Sequence, residues 1–149
     1  MSGGLTDAAA LQLRAFERDD TESVVALWHA CGLVVPWNDP HRDIERKLAE
    51  QPELFLVGER DGRVVASVMI GYDGHRGWMN YLAVDPAEQG RGHGRALVRE
   101  AERMLTARGC PKLNLQVRGT NTAALGFYEA IGYAPDNAVS LGKRLIADD

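Results

Sequence analysis

The chain has little cysteine. Cys31 and Cys110 stand in unrelated contexts without C-x-x-C spacing, which excludes a disulfide framework and a cysteine-rich zinc site. An excess of positive charge is also missing: 17 Lys and Arg against 21 Asp and Glu leave a net charge of -4. The broad positive field of a general nucleic-acid or membrane-surface binder is therefore absent, and any positive charge must act locally. No apolar run approaches the ~18 residues needed to span a bilayer. The opening MSGGLTDAAA shows neither the charged nor the apolar region of a secretory signal. These absences suggest a reduced, cytoplasmic setting without a metal. No repeat, low-complexity tract or linker divides the 149 residues, and 45% apolar composition suits one domain with its own core. Residues 1 to 10 read as a loose extension and 11 to 149 as the domain.

The segment LQLRAFE (11 to 17) alternates like a strand. Asp19, Asp20 and Thr21 then offer helix caps ahead of Val24, Leu27, Trp28 and Cys31, an apolar stripe at helical spacing. After the irregular LVVPWNDP, Asp39 as N-cap and Pro40 at the first helical position predict a short helix through Leu48. Residues 54 to 60 and 64 to 72 are β-rich and meet at Asp61-Gly62, strong hairpin chemistry. A second turn, DGHRG (73 to 77), leads into the strand WMNYLAV (78 to 84). From Gly94, an apolar face of Leu97, Val98, Ala101, Met104 and Leu105 predicts a helix ending at Gly109. A strand over 112 to 118, a helix capped by Asn121 with Ala124, Phe127, Tyr128 and Ile131 on one side, and one or two final strands over 133 to 146 complete the pattern.

Between the strand ending at Val84 and the helix beginning near Gly92 lies DPAEQGRGHGR, with glycines at 90, 92 and 94. Glycine permits positive φ and removes the Cβ that would hold a ligand away from the backbone. Strand, glycine turn and helix together gather unpaired N–H groups at the positive end of a helix dipole, a cradle for an anion such as phosphate. Arg91, Arg95 and His93 can supplement it. The dinucleotide pattern G-x-G-x-x-G fails, because Arg95 and Leu97 occupy the third glycine position in either register. A Walker motif fails as well: Asn137 replaces its first glycine and Arg144 follows Lys143.

The spacing Gln89-x-x-Gly92-x-Gly94 resembles the acetyl-coenzyme A signature of the GNAT superfamily of N-acetyltransferases. Downstream, NTAALGFYEAIGY (121 to 133) is similar to that family's second hallmark, N-x-x-A-x-x-F-Y-x-x-x-G-Y. The likeness runs over residues 11 to 146, and WNDP, GYDGHRG and LGKRLI resemble the small bacterial YpeA-type members. The resemblance implies an α/β (α+β) GNAT-like fold: a mixed, mostly antiparallel sheet of six or seven strands, splayed between the fourth and fifth, with about four helices. It implies acetyl-CoA as cosubstrate, its pantetheine arm along Leu82, Ala83 and Val84 and its pyrophosphate at Gln89, Gly90, Arg91, Gly92, His93, Gly94 and Arg95. Asn121 and Ala124 complete the cofactor side. A primary amine would attack the thioester directly.

Tyr128 matches the family's tyrosine that protonates the departing thiolate. An unperturbed phenol pKa of about 10 suits that task, although a core tyrosine would share the same stripe. The strand WMNYLAV holds no carboxylate to serve as a base. Trp37, Asp73, His75 and Asn80 are the acceptor-pocket candidates, with the competing reading that Asp73 serves its own turn. The acceptor can be a small molecule, a peptide or a protein, and the chain a monomer or homodimer. A noncatalytic coenzyme A sensor and a transferase for a longer acyl group are the alternatives.

Overall fold

A computed structural model describes residues 10 to 149. The expected N-terminal extension thus lies outside the described residues except for Ala10. The strands are β1 (Gln12–Ala15), β2 (Phe55–Arg60), β3 (Arg63–Tyr72), β4 (Gly77–Val84) and β5 (Leu113–Leu115); the helices are α1 (Thr21–Ala30), α2 (Pro40–Ala49), α3 (His93–Ala107) and α4 (Thr122–Ala130). The strands form one sheet in sequence order, antiparallel except for the parallel pair β4–β5.

Local chemistry explains the boundaries. Asp39 Oδ1 accepts the N–H of His41 at 2.9 Å and caps α2, with Pro40 at the first position where no donor is needed. Asp61 and Gly62 turn the β2–β3 hairpin with φ of +54° and +74°. Alternation along β2 and β3 divides the core between two faces. On one, α1 and α2 cover the fully buried Trp28, Phe55 and Val57; on the other, α3 presses Leu97, Val98, Ala101 and Leu105 against Leu56, Val68 and Ile70. Burying each of the larger aliphatic or phenylalanine side chains contributes about 1.5–3 kcal/mol.

The sheet has five strands rather than the expected six or seven. Strand β5 covers only Leu113–Leu115 of the expected 112 to 118, and residues 134 to 149 form no strand. Side chains hold this last segment instead: Lys112 pairs with Asp136, Gln116 bonds Ser140, and Asp148 meets Arg46 and Arg144. Val139, Leu141 and Leu145 are consequently more than four-fifths exposed. Periodicity alone proposes strands there, but a strand exists only where a neighbour takes up its backbone groups.

Candidate active site

Strands β4 and β5 pair only through Gly77–Leu113, Trp78–Asn114 and Met79–Leu115. Beyond Met79 the pairing ends, so the edge of β4 from Asn80 to Val84 has no β5 partner. The glycine loop stands at the C-terminal end of that edge. Pro86–Glu88 form a single 3₁₀ turn, and Gly90 and Gly92 take φ of +84° and +85°. A Cβ added at either glycine would meet nothing within 4 Å, so both are needed for the backbone conformation and leave open space in front of it. Gly94 differs: an added Cβ would stand 3.2 Å from Cζ of Phe127, so its role is to let α4 pack on the start of α3.

The first helical bond of α3 runs from Ala96 N–H to the Gly92 carbonyl. The N–H groups of His93, Gly94 and Arg95 therefore have no helical acceptor and point along the positive end of a 15-residue helix. Arg91 and Arg95 are exposed beside them. His93 turns inward, and its Nε2 meets Oε1 of the buried Glu88 at 3.0 Å. Arg60 Nη1 donates to both oxygens of Glu88, at 3.0 and 3.1 Å. His93 and the two guanidiniums of Arg60 and Arg91 hold the Glu88 carboxyl below the usual glutamate range. This pin fixes the loop from beneath and leaves only the backbone of His93 for a ligand. Sequence spacing gave no sign of Glu88 as its hub, because Arg60 lies on another hairpin.

Leu82 and Val84 turn to the α3 face and Ala83 to the α1 face. The Val84 carbonyl accepts from Gln89 Nε2 and from the Cys31 thiol, each at 3.2 Å. Burial raises the pKa of Cys31, which packs as a small hydrophobe. Asn121 Oδ1 accepts the Ala124 N–H at 3.1 Å and caps α4. Tyr128 lies on α4 over the α3 face, its ring edge-on to Phe127 and Tyr133 at centroid distances of 5.0 and 5.7 Å. Burial alone pushes its phenol up to about 12. Tyr128 borders a groove lined also by Leu115, Val117 and Leu125.

The four acceptor-pocket candidates fall on three segments: β4, the loop after α1 and the β3–β4 turn. Asn80 is exposed on β4 just past the last β4–β5 pair. Trp37 is exposed, with the Arg118 guanidinium 6.0 Å from its ring centroid, so the loop after α1 meets the segment that follows β5. Asp73 and His75 lie instead in the β3–β4 turn, at the end where β4 and β5 are paired. Asp73 Oδ1 accepts from the N–H groups of His75 and Arg76, and Oδ2 from the Trp78 indole at 3.2 Å. These donors hold its pKa below the ordinary value and commit both oxygens to the turn. Asp73 and His75 thus stay with the β3–β4 turn, apart from Asn80 at the unpaired end of β4.

Sequence reading passed over a second cluster, on the α1–α2 face. Tyr81 of β4 has φ of +54°, its ring stacks on Trp28 at 3.8 Å, and its hydroxyl donates to Asp43 Oδ2 at 2.6 Å. Arg46 joins Asp43 at 3.0 Å to Asp148 at 2.6 Å, and Asp148 also accepts the Asp39 N–H. Asp43, Arg46 and Asp148 come from α2 and the C-terminal segment, too far from β4 in sequence for spacing to reveal them.

A sheet whose β4–β5 pairing stops at Met79, with a glycine loop opening a helix at the end of β4, is the arrangement to set beside known proteins. The model of the Acetyltransferase (GNAT) family matches residues 14 to 133, and the chain belongs to that family. An acetyltransferase of Yersinia pestis (strain Pestoides F) is 54% identical over 138 residues, covering 93% of this chain and 98% of that protein. Among solved structures, Ard1 from Thermoplasma volcanium superposes with a TM-score of 0.73 at 26% identity, over 84% of this chain and 83% of its own. The ribosomal-protein-S18-alanine N-acetyltransferase from Escherichia coli gives 0.69 at 25%, over 83% and 77%. By class, the chain is an N-acetyltransferase. Among the described residues no helix is long and apolar enough to cross a membrane.

Proposed function

We propose that the protein transfers the acetyl group of acetyl-CoA to a primary amine by direct attack on the thioester. The observation that carries this reading is the cradle at residues 89 to 95. Two left-handed glycines open space before the backbone, and the first-turn N–H groups of α3 face it. Gln89 to Arg95 would hold the diphosphate, and the unpaired edge of Leu82 to Val84 would receive the pantetheine amides as an added strand. Asn121 and Ala124 fix the helix that carries Tyr128.

Two protons have to be handled. The departing thiolate gains one from the Tyr128 hydroxyl, whose raised pKa keeps it protonated through the neutral range. The amine nitrogen loses the other on the acceptor side. Trp37 and Asn80 border the opening through which the acceptor arrives. The acceptor class is a free amine on a peptide, protein or small molecule. Support for an N-terminal amine comes from the similarity to the ribosomal-protein alanine acetyltransferase. Two free cysteines are compatible with cytoplasmic work.

The test is thiol release from acetyl-CoA over a panel of amines, with wild type and Tyr128→Phe. Amine-dependent release that falls in the variant, with coenzyme A affinity kept, supports the transferase. Tight coenzyme A binding without release for any amine points to a sensor. Faster release from a longer acyl-CoA reassigns the donor.

A further inference from the structure

An amine attacking a thioester must shed a proton, and β4 itself carries no carboxylate. The fold brings one from α2. From Met79, which packs on the α3 face, strict alternation would turn Tyr81 toward α3 as well. It does not. Asn80 pairs with Met69 and Ala83 with Ser67, so Tyr81 and Leu82 together oppose the single residue Val68. This bulge turns Tyr81 to the α1–α2 face, where it packs with Trp28.

Tyr81 is a bulky residue held at φ +54°, a strained conformation that persists only where the surroundings enforce it. Here they do: the Tyr81 carbonyl accepts from Ser67 Oγ at 3.2 Å, and that oxygen accepts from the Trp28 indole at 2.9 Å. Packing alone would be served by phenylalanine. The hydroxyl, however, is given to Asp43 Oδ2 at 2.6 Å, while Arg46 engages the other oxygen, Oδ1. Asp43 keeps about a fifth of its side chain exposed, an outlet to water.

We infer that Tyr81 and Asp43 form the proton exit for the acceptor amine, the nitrogen passing its proton to the Tyr81 oxygen as the Tyr81 proton passes to Asp43 Oδ2. This rests on the acetyltransferase reading above. The placement matches the order of events. Tyr128 lies over the α3 face and Tyr81 over the α1–α2 face, so leaving group and nucleophile are served from opposite sides of β4. Attack forms the C–N bond and moves the carbonyl π pair onto oxygen. Collapse breaks the C–S bond, and the sulfur leaves with the electron pair and takes the Tyr128 proton. The amine proton goes through Tyr81 to Asp43 and then to solvent, from which Tyr128 is reprotonated. Burial and the neighbouring Asp43 carboxylate raise the Tyr81 phenol above its ordinary value, so it relays a proton without becoming a free phenolate.

The experiment compares two nucleophiles near neutral pH by thiol release from acetyl-CoA. Alaninamide has an α-amine that is substantially protonated there; hydroxylamine is already unprotonated, and its adduct loses its proton readily to water. Tyr81→Phe and Asp43→Asn should each lower kcat/KM for alaninamide about tenfold or more, and for hydroxylamine by no more than about twofold. Coenzyme A affinity should not move. Tyr81→Phe keeps the ring on Trp28, so it decides the matter alone if Asp43→Asn, which disturbs Arg46, fails to fold. Equal loss for both nucleophiles, or no loss for either, would overturn the relay and leave the transferase standing. Wild-type protein that releases no thiol with either nucleophile would overturn the transferase reading, and the relay with it.

Discussion

The two sides of β4 are built from different materials. On the proposed cofactor side, the recognition elements are backbone: Gly90, Gly92 and the first turn of α3 lie within a few residues of one another. On the proposed acceptor side they are side chains drawn from distant elements. Trp37 follows α1, Asp43 and Arg46 sit on α2, Tyr81 on β4, Arg118 after β5 and Asp148 near the end of the chain. A diphosphate presents the same oxygens in every cycle, so one local loop suffices. An amine comes attached to a particular molecule, and its recognition takes shape only after the chain has folded.

The contrast can be broken most severely at Tyr128. Tyr128→Phe keeps the ring among Phe127 and Tyr133 and removes only the hydroxyl proposed as proton donor, so kcat should fall on the order of 10²-fold with coenzyme A affinity intact. Steady-state kinetics beside a binding titration measure both. With its pKa near 12, Tyr128 should impose no alkaline decline in kcat below about pH 11.

Next in size is Gly92→Val. A β-branched residue at φ +85° is strained and fills the space before the loop, so coenzyme A affinity should drop about tenfold or more; Arg91→Ala should cost only about two- to threefold, one supplementary charge. Equal losses would show the loop to be read by side chains and erase the contrast. Glu88→Gln, which leaves the packing but weakens the pin on His93 and Arg60, should fall between these, at about threefold to fivefold by calorimetry.

Smaller still is the effect at Asp148. Arg46, the Asp39 N–H and Arg144 depress its folded pKa, so its contribution to stability is present above the unfolded value of about 3.9 and is lost as pH falls through the folded one. Wild type should melt above Asp148→Asn at neutral pH, and the two should converge in acid. Asp73→Asn should change neither acceptor nor cofactor kinetics, because both oxygens of Asp73 serve the β3–β4 turn.

Legibility followed the same division. The order of elements, the Asp39 cap, the Asp61-Gly62 hairpin and the glycine loop all follow from residues close in sequence, and the structure places them as the pattern implies. Asp73 and His75 looked like pocket residues because a polar turn and a polar pocket draw on the same residue types. Only the register of β4 against β5 shows that this turn stands at the paired end. Tyr81 was hidden for the opposite reason. In WMNYLAV it has the identity of an ordinary strand residue, and nothing local announces the bulge that redirects it. The final strands failed because alternation in 133 to 146 carries no information about whether a neighbour is present.

The central claim is that coenzyme A is held by the backbone of residues 89 to 95. Its most direct measurement is a titration of ¹⁵N-labelled protein with coenzyme A, followed through backbone amide shifts. The largest changes should fall on Gly90 to Arg95 and on Leu82 to Val84, with the β3–β4 turn around Asp73 unmoved. Changes concentrated instead on Leu115, Val117 and Leu125, along the groove beside β5, with the loop amides silent, would contradict it.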